Sequence, residues 1–372
     1  MFLAALSVLV AVAPFRAAGR ALPRAASASA TLASSAPLPT STAIVPGLNA
    51  LAQAAGKVYF GSATDNPELN DTAYVNILSD NRQFGQLTPG NSMKWYATEP
   101  EPGVFTFEAG DVIRNLAYAN GQYLRGHNCV WYEELPDWVT ANNYTAPELA
   151  YVVENHCATI VGHYAGEIIS FSYSWDVINE PLNDNGTFRE TVFYDTLGME
   201  YIPIALRAAR AADPHAKLFI NDYNIEGTGA KSTAMVELVQ WLQENYVPID
   251  GIGVEGHLIV GEVPTTLVEN FQQFADLGVI FSINELDIRM PLPATAEMLE
   301  QQKADYETVV SACMQFTQCV GITLWDYTDK YSWIPSSFPG YGEACPWDEY
   351  LQRKPAYDGI VLGFQNGSTL YL

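Results

Sequence analysis

The chain has 372 residues, more than the ~100–200 usual for one domain, and its 48% hydrophobic and 12% aromatic content is ample for a packed core. Its 42 acidic residues against 18 basic ones give a net charge of -24, which repels phosphate backbones and anionic bilayers and excludes nucleic acid and membrane surfaces as partners. One large globular domain behind a leader fits these bounds.

The first 20 residues contain an apolar run at 2–13, too short to span a bilayer and followed by small residues, which reads as a signal peptide for export. Residues 21–46 are rich in Ala, Ser, Thr and Pro without apolar periodicity, as in a propeptide or linker. From 47 to 372 we expect the folded domain, secreted to the extracellular space. Sequons at Asn70, Asn143, Asn185 and Asn366 are glycosylation acceptors if the chain is exported.

Within that domain, short apolar or β-branched runs alternate with segments of helical period, the pattern of βαβ units and a parallel sheet. Strands are expected at 58–64, 84–91, 123–131, 169–180, 217–224, 251–258, 279–288 and 320–327. Helices are expected at 147–164, 201–212, 231–245, 265–277 and 296–316. Eight strands with helices between them predict an α/β fold, a single (β/α)8 TIM barrel; no GxGxxG follows the first strand to support a doubly wound sheet.

Barrel enzymes carry their chemistry at the C-terminal ends of the strands. There the sequence places Asn179-Glu180 after the fourth strand and Asn284-Glu285-Leu286-Asp287 in the seventh. Two carboxylates facing one cavity from different strands are what glycoside hydrolysis requires: a proton donor, and a nucleophile or base. Asn179 is placed to contact a sugar hydroxyl beside Glu180. Asp287 shares a strand face with Glu285 and can accept from His257, which can donate in turn to Glu285. Trp131, Trp325 and Trp333 offer faces for a pyranose ring, and Asn91, Lys94 and His127 offer donors to its hydroxyls. Trp175 reads as core beneath the Glu180 loop. The cysteines at 129, 157, 313, 319 and 345 form no CxxC pair, so no metal and no cofactor is implied.

Trp175-Asp176-Val177-Ile178-Asn179-Glu180 and Asn284-Glu285-Leu286-Asp287 resemble the two catalytic motifs of glycoside hydrolase family 10, the endo-β-1,4-xylanases. Asn91-Ser92-Met93-Lys94-Trp95, Arg125-Gly126-His127, Asp329-Lys330-Tyr331-Ser332-Trp333 and Lys354-Pro355-Ala356-Tyr357 extend the resemblance in order and spacing, over about 48–363. It implies a retaining double displacement on xylan, with Glu285 as nucleophile, Glu180 as general acid/base, and no cofactor. The partner is then a polysaccharide or oligosaccharide β-glycoside, and the enzyme a monomer. The same resemblance implies a Cys313–Cys319 disulfide, with Cys129 and Cys157 either paired or buried thiols.

Some positions depart from the family pattern. Gly90 stands for a Glu, Tyr96 for an Asp, Tyr132 for a His, Glu134 and Glu255 for Gln, and Asp326 for a Gly. Glu134 and Glu255 remain expected substrate-binding residues, and Asp326 is expected to add an acceptor beside Trp325. The departures leave room for an altered glycone pocket acting on another β-glycoside, such as a steroidal glycoalkaloid. Retention of both Glu residues argues against a non-catalytic sugar-binding barrel.

Overall fold

A computed structural model describes residues 46–165 and 172–368. The expected signal segment, nearly all of the linker and the start of the expected 169–180 strand lie outside the described residues.

Eight parallel strands close the barrel: β1 (Tyr59–Thr64), β2 (Gln86–Pro89), β3 (Tyr123–Val130), β4 (Ser172–Asn179), β5 (Lys217–Asp222), β6 (Gly251–Val254), β8 (Ile280–Pro291) and β9 (Cys319–Leu324). Neighbours in sequence pair in space from β1 to β6, β6 pairs β8, β8 pairs β9, and β9 returns to β1 through Tyr59↔Gly321. The strands read as near-continuous apolar runs because each is covered on both faces, by helices outside and by barrel filling within.

One expected strand, 251–258, is two. The chain leaves the barrel after Val254, turns at Gly256 with φ of 85°, and resumes as β7 (His257–Ile259), parallel to β8 in the register His257↔Asp287. A left-handed glycine is compatible with neither strand, so it separates them. A further short strand, β10 (Tyr341–Gly342), pairs antiparallel with the end of β8.

The expected helices stand, within a few residues, at Ala146–Tyr164, Tyr201–Ala212, Ala230–Glu244, Leu267–Asp276 and Ala296–Met314. The first is fixed by its cap: Glu148 Oε2 accepts the Thr145 backbone N–H at 2.8 Å and the Thr145 hydroxyl at 2.7 Å. Cys313 and Cys319 form a disulfide, Cα to Cα 5.5 Å, joining the last of these helices to β9; Cys129, Cys157 and Cys345 are buried free thiols. All four sequon asparagines are exposed.

Inside the barrel the filling beneath the C-terminal mouth is polar. Arg125 donates to Asp176 Oδ1 at 2.7 Å, to the Tyr59 hydroxyl at 2.9 Å and to the Ser282 hydroxyl at 3.0 Å, all fully buried. Gly126 lets Trp175 lie across β3, since a Cβ there would stand 2.3 Å from the indole. Trp175 is accordingly core, 1% exposed, on β4 five residues before Glu180.

Candidate active site

A cavity of about 540 Å³ opens at the C-terminal mouth of the barrel. It gathers Asn91, Lys94, His127, Trp131, Asn179, Glu180, Glu255, His257, Glu285, Trp325 and Trp333, nearly the whole set expected from the sequence.

Glu180 is the first residue beyond β4 and adopts φ of 52°, a left-handed conformation uncommon for a residue with a Cβ. Its backbone N–H is held by the Asn221 carbonyl at 2.8 Å, so the turn is secured from β5. Burial, with the nearby Glu285 carboxylate, raises the Glu180 carboxyl above its usual range, against the opposing indole of Trp131 and guanidinium of Arg189. A carboxyl that keeps its proton is what a general acid needs.

Glu285 has the opposite environment. Burial alone would raise it, but a hydrogen bond from His257 Nε2 at 3.2 Å and the neighbouring His127 hold it below the ordinary carboxylate value. His257 Nδ1 lies 3.1 Å from Asp287 Oδ2, the contact that the β7–β8 register produces. Burial disfavours the imidazolium, yet Asp287 and Glu285 together raise His257 to about 10, so it is cationic at neutral pH. Asp287 also accepts from Trp333 Nε1 at 2.8 Å, which fixes the indole edge at the cavity wall. Two carboxyls on one cavity, one raised above and one lowered below the ordinary range, have the opposed environments that a proton donor and an ionised nucleophile require.

The wall facing the substrate carries donors and flat rings. Lys94 Nζ reaches Asn91 Oδ1 at 2.9 Å and lies 4.9 Å from the Trp131 ring centre. Burial lowers the Lys94 ammonium, while the Glu134, Glu285 and Asp65 carboxylates oppose the shift. His127 Nδ1 meets Asp176 Oδ2 at 3.1 Å, and its ring packs edge-on against Trp325 with centroids 5.1 Å apart.

Two expectations are corrected by local backbone geometry. Glu134 does not line the cavity: the chain turns there with φ of 50°, its side chain is exposed, and Glu133 takes the lining position. Its influence on the site is the electrostatic support of Lys94. Asp326 lines the cavity but its carboxyl is engaged within the protein. Oδ1 accepts the backbone N–H groups of Tyr327 and Thr328, and Oδ2 accepts the Tyr74 hydroxyl at 3.1 Å. With φ of 58° it does the conformational work of a glycine, the carboxylate bracing the turn as short polar side chains do.

Sequence reasoning did not single out Asn221, the residue that joins the set. Its Nδ2 stands 2.8 Å from Asn179 Oδ1, 2.8 Å from Glu285 Oε1 and 3.2 Å from Glu255 Oε1. The signal available was only that Asn221 stands at the C-terminal end of a strand, among other polar residues. Arg289, stacked 4.0 Å over Phe338, and the half-buried Asp65 also line the cavity.

Glu255, His257 and Glu285 have donor atoms within 4.8 Å of one another, the one such grouping among the described residues. Within that grouping His257 Nε2 is directed at Glu285 Oε2, 3.2 Å away. No helix among the described residues is long and apolar enough to cross a membrane.

The Glycosyl hydrolase family 10 model matches residues 47–362. Endo-1,4-beta-xylanase A of Phanerodontia chrysosporium is 59% identical over 86% of this chain and 77% of its own length. An endo-1,4-beta-xylanase of Agaricus bisporus is 58% identical over 85% of this chain and 94% of its own. Among solved structures, the GH10 xylanase of Bispora sp. MEY-1, crystallised with xylobiose, superposes with a TM-score of 0.82 at 40% identity, covering 85% of this chain and 99% of that one. The chain belongs to glycosyl hydrolase family 10, a family of retaining O-glycosyl hydrolases.

Proposed function

We propose that this chain is an exported endo-1,4-β-xylanase, monomeric, acting on xylan by double displacement. The observation that carries the reading is the contrast at one cavity between Glu180, raised above the usual carboxyl range, and Glu285, lowered below it by His257 and His127. The names of the relatives and the xylobiose in the Bispora structure support the substrate class. The apolar 2–13 run and the exposed sequons support export and glycosylation.

In this reading Glu285 attacks the anomeric carbon while Glu180 gives its proton to the departing oxygen, leaving a glycosyl-enzyme ester. Glu180, now ionised, takes a proton from water as the water displaces Glu285. His257, held cationic by Asp287, stabilises the Glu285 carboxylate before attack and again as it departs. Asn179 and Asn221 set the carboxyl orientations from behind. Incubation with xylan and with aryl β-xylobioside, following the anomer first released by NMR, tests the proposal. Release of the β-anomer from both supports it; an α-anomer first product, or cleavage of a glycoalkaloid but not of either xyloside, would overturn it.

A further inference from the structure

Between the ends of β1 and β2 the cavity has a notch. A Cβ placed on Gly90 would meet nothing nearer than the Thr64 carbonyl at 3.6 Å and the Asp65 carboxylate at 4.0 Å. The side chain facing this space is therefore Asp65, and its loop is firmly held. Glu68 Oε2 accepts the Asp65 backbone N–H at 2.7 Å, the Thr64 hydroxyl at 3.1 Å and the Tyr74 hydroxyl at 3.1 Å.

The Asp65 carboxylate accepts the Asn66 N–H at 3.1 Å and the side-chain amide of Asn91. These use about two of its four lone-pair sites and leave the rest to the cavity. Asn91, oriented by Asp65, turns its carbonyl to Lys94 at 2.9 Å, which uses one of that ammonium's three donors. Lys94 is influenced by both Asp65 and Glu285, so the series Glu285, Lys94, Asn91, Asp65 leads away from the attacking atom.

We propose that Asp65 is a specificity-determining residue for the glycone. Its carboxylate accepts a hydroxyl of the sugar one place beyond the ring under attack, and it holds Asn91 so that Lys94 donates to that same sugar. The chemistry selects a neutral, hydroxyl-rich pyranose; a uronic acid there would face Asp65 and Glu68 at short range. The inference rests on the glycanase reading above and assigns a residue within it.

The test compares aryl β-xyloside with aryl β-xylobioside for the wild type, Asp65→Asn, Asp65→Ala, Gly90→Glu and Asp65→Ala with Gly90→Glu, each checked for folding by thermal melting. Asp65→Asn keeps the volume and should fold if Asp65→Ala does not. Both Asp65 single variants should lose about tenfold or more in kcat/KM on the xylobioside, mainly through KM, as for a charge-assisted hydrogen bond, and far less on the xyloside. Gly90→Glu should restore most of the loss in the Asp65→Ala background, because its carboxylate enters the vacated notch. In the wild type it should give no gain, since two carboxylates would share that space. Equal losses on both substrates, an unchanged xylobioside KM, or a double variant no better than Asp65→Ala would overturn the proposal. A wild type that cleaves neither glycoside would overturn the underlying reading instead.

Discussion

Glu255 and Glu285 share one amide: Asn221 Nδ2 stands 3.2 Å from the first carboxyl and 2.8 Å from the second. Two anions so placed in a buried site would repel, and burial, together with the charges of Glu285, Glu180 and Asp222, pushes Glu255 well above its ordinary value. A carboxyl shifted in this direction tends toward the neutral form, which has the donor and acceptor character of an amide. Because its folded-state pKa is raised, its contribution to stability is complete below the unfolded value, ~4.3, and is lost as pH rises through the folded one. Glu255→Gln should therefore match the wild type in melting temperature at acid pH and exceed it increasingly toward alkaline pH. A constant difference across pH would refute a protonated Glu255.

The roles proposed for Glu180 and Glu285 separate by chemical rescue. Glu285→Ala should lose nearly all turnover. Glu180→Ala should retain slow glycosylation of substrates with good leaving groups and be accelerated by azide, giving the β-glycosyl azide. Product analysis checks both; an α-azide, or rescue of neither variant, would reverse the assignment.

Asp287 is expected to act through His257. Replacing it by Asn removes the charge that keeps His257 cationic near 10 and releases the Trp333 edge from its carboxylate. With His257 less charged, Glu285 loses its main stabilising partner and its pKa rises. The acidic limb of the kcat/KM profile should move to higher pH, and kcat should fall, by up to about a hundredfold if the nucleophile is displaced. A lower kcat with an unmoved acidic limb would indicate displacement without the electrostatic role.

Why some of this site was legible in the sequence and some was not follows from backbone geometry. Glu180 and Glu285 could be found because barrel strands have a defined functional end and a period of two. Asn221 was hidden in the run Asn221-Asp222-Tyr223-Asn224, where consecutive polar residues at a strand end do not reveal which one faces inward. The break at Gly256, and with it the strand that sets His257 opposite Asp287, depends on a left-handed φ that looks like any strand glycine in one dimension. Glu134 and Asp326 misled for the same reason. Each adopts positive φ, so the spacing that would aim its carboxylate at a sugar instead turns it outward or onto its own backbone.

The polar filling beneath the site makes the last prediction. Asp176 is fully buried, and burial would raise its carboxyl, but the Arg125 guanidinium at 2.7 Å and His127 hold it below the ordinary value. Its folded-state pKa is thus depressed, so its stabilisation is present above the unfolded value of ~3.9 and is lost as pH falls through the folded one. Arg125→Met removes the compensating charge and leaves a buried carboxylate, a change that typically costs ~3–5 kcal/mol near neutral pH. The cost should shrink on acidification, because with Arg125 gone burial dominates and Asp176 is neutralised at a higher pH. Between neutrality and about pH 4, then, the variant should gain stability as pH falls, while the wild type gains none from this group. Adding Asp176→Leu should recover part of the loss, since a buried pair replaced by apolar groups is often nearly neutral. Denaturant unfolding at several pH values measures all three chains. A variant whose deficit is the same at every pH would show that Arg125 contributes packing over Phe219, 5.0 Å away, rather than charge.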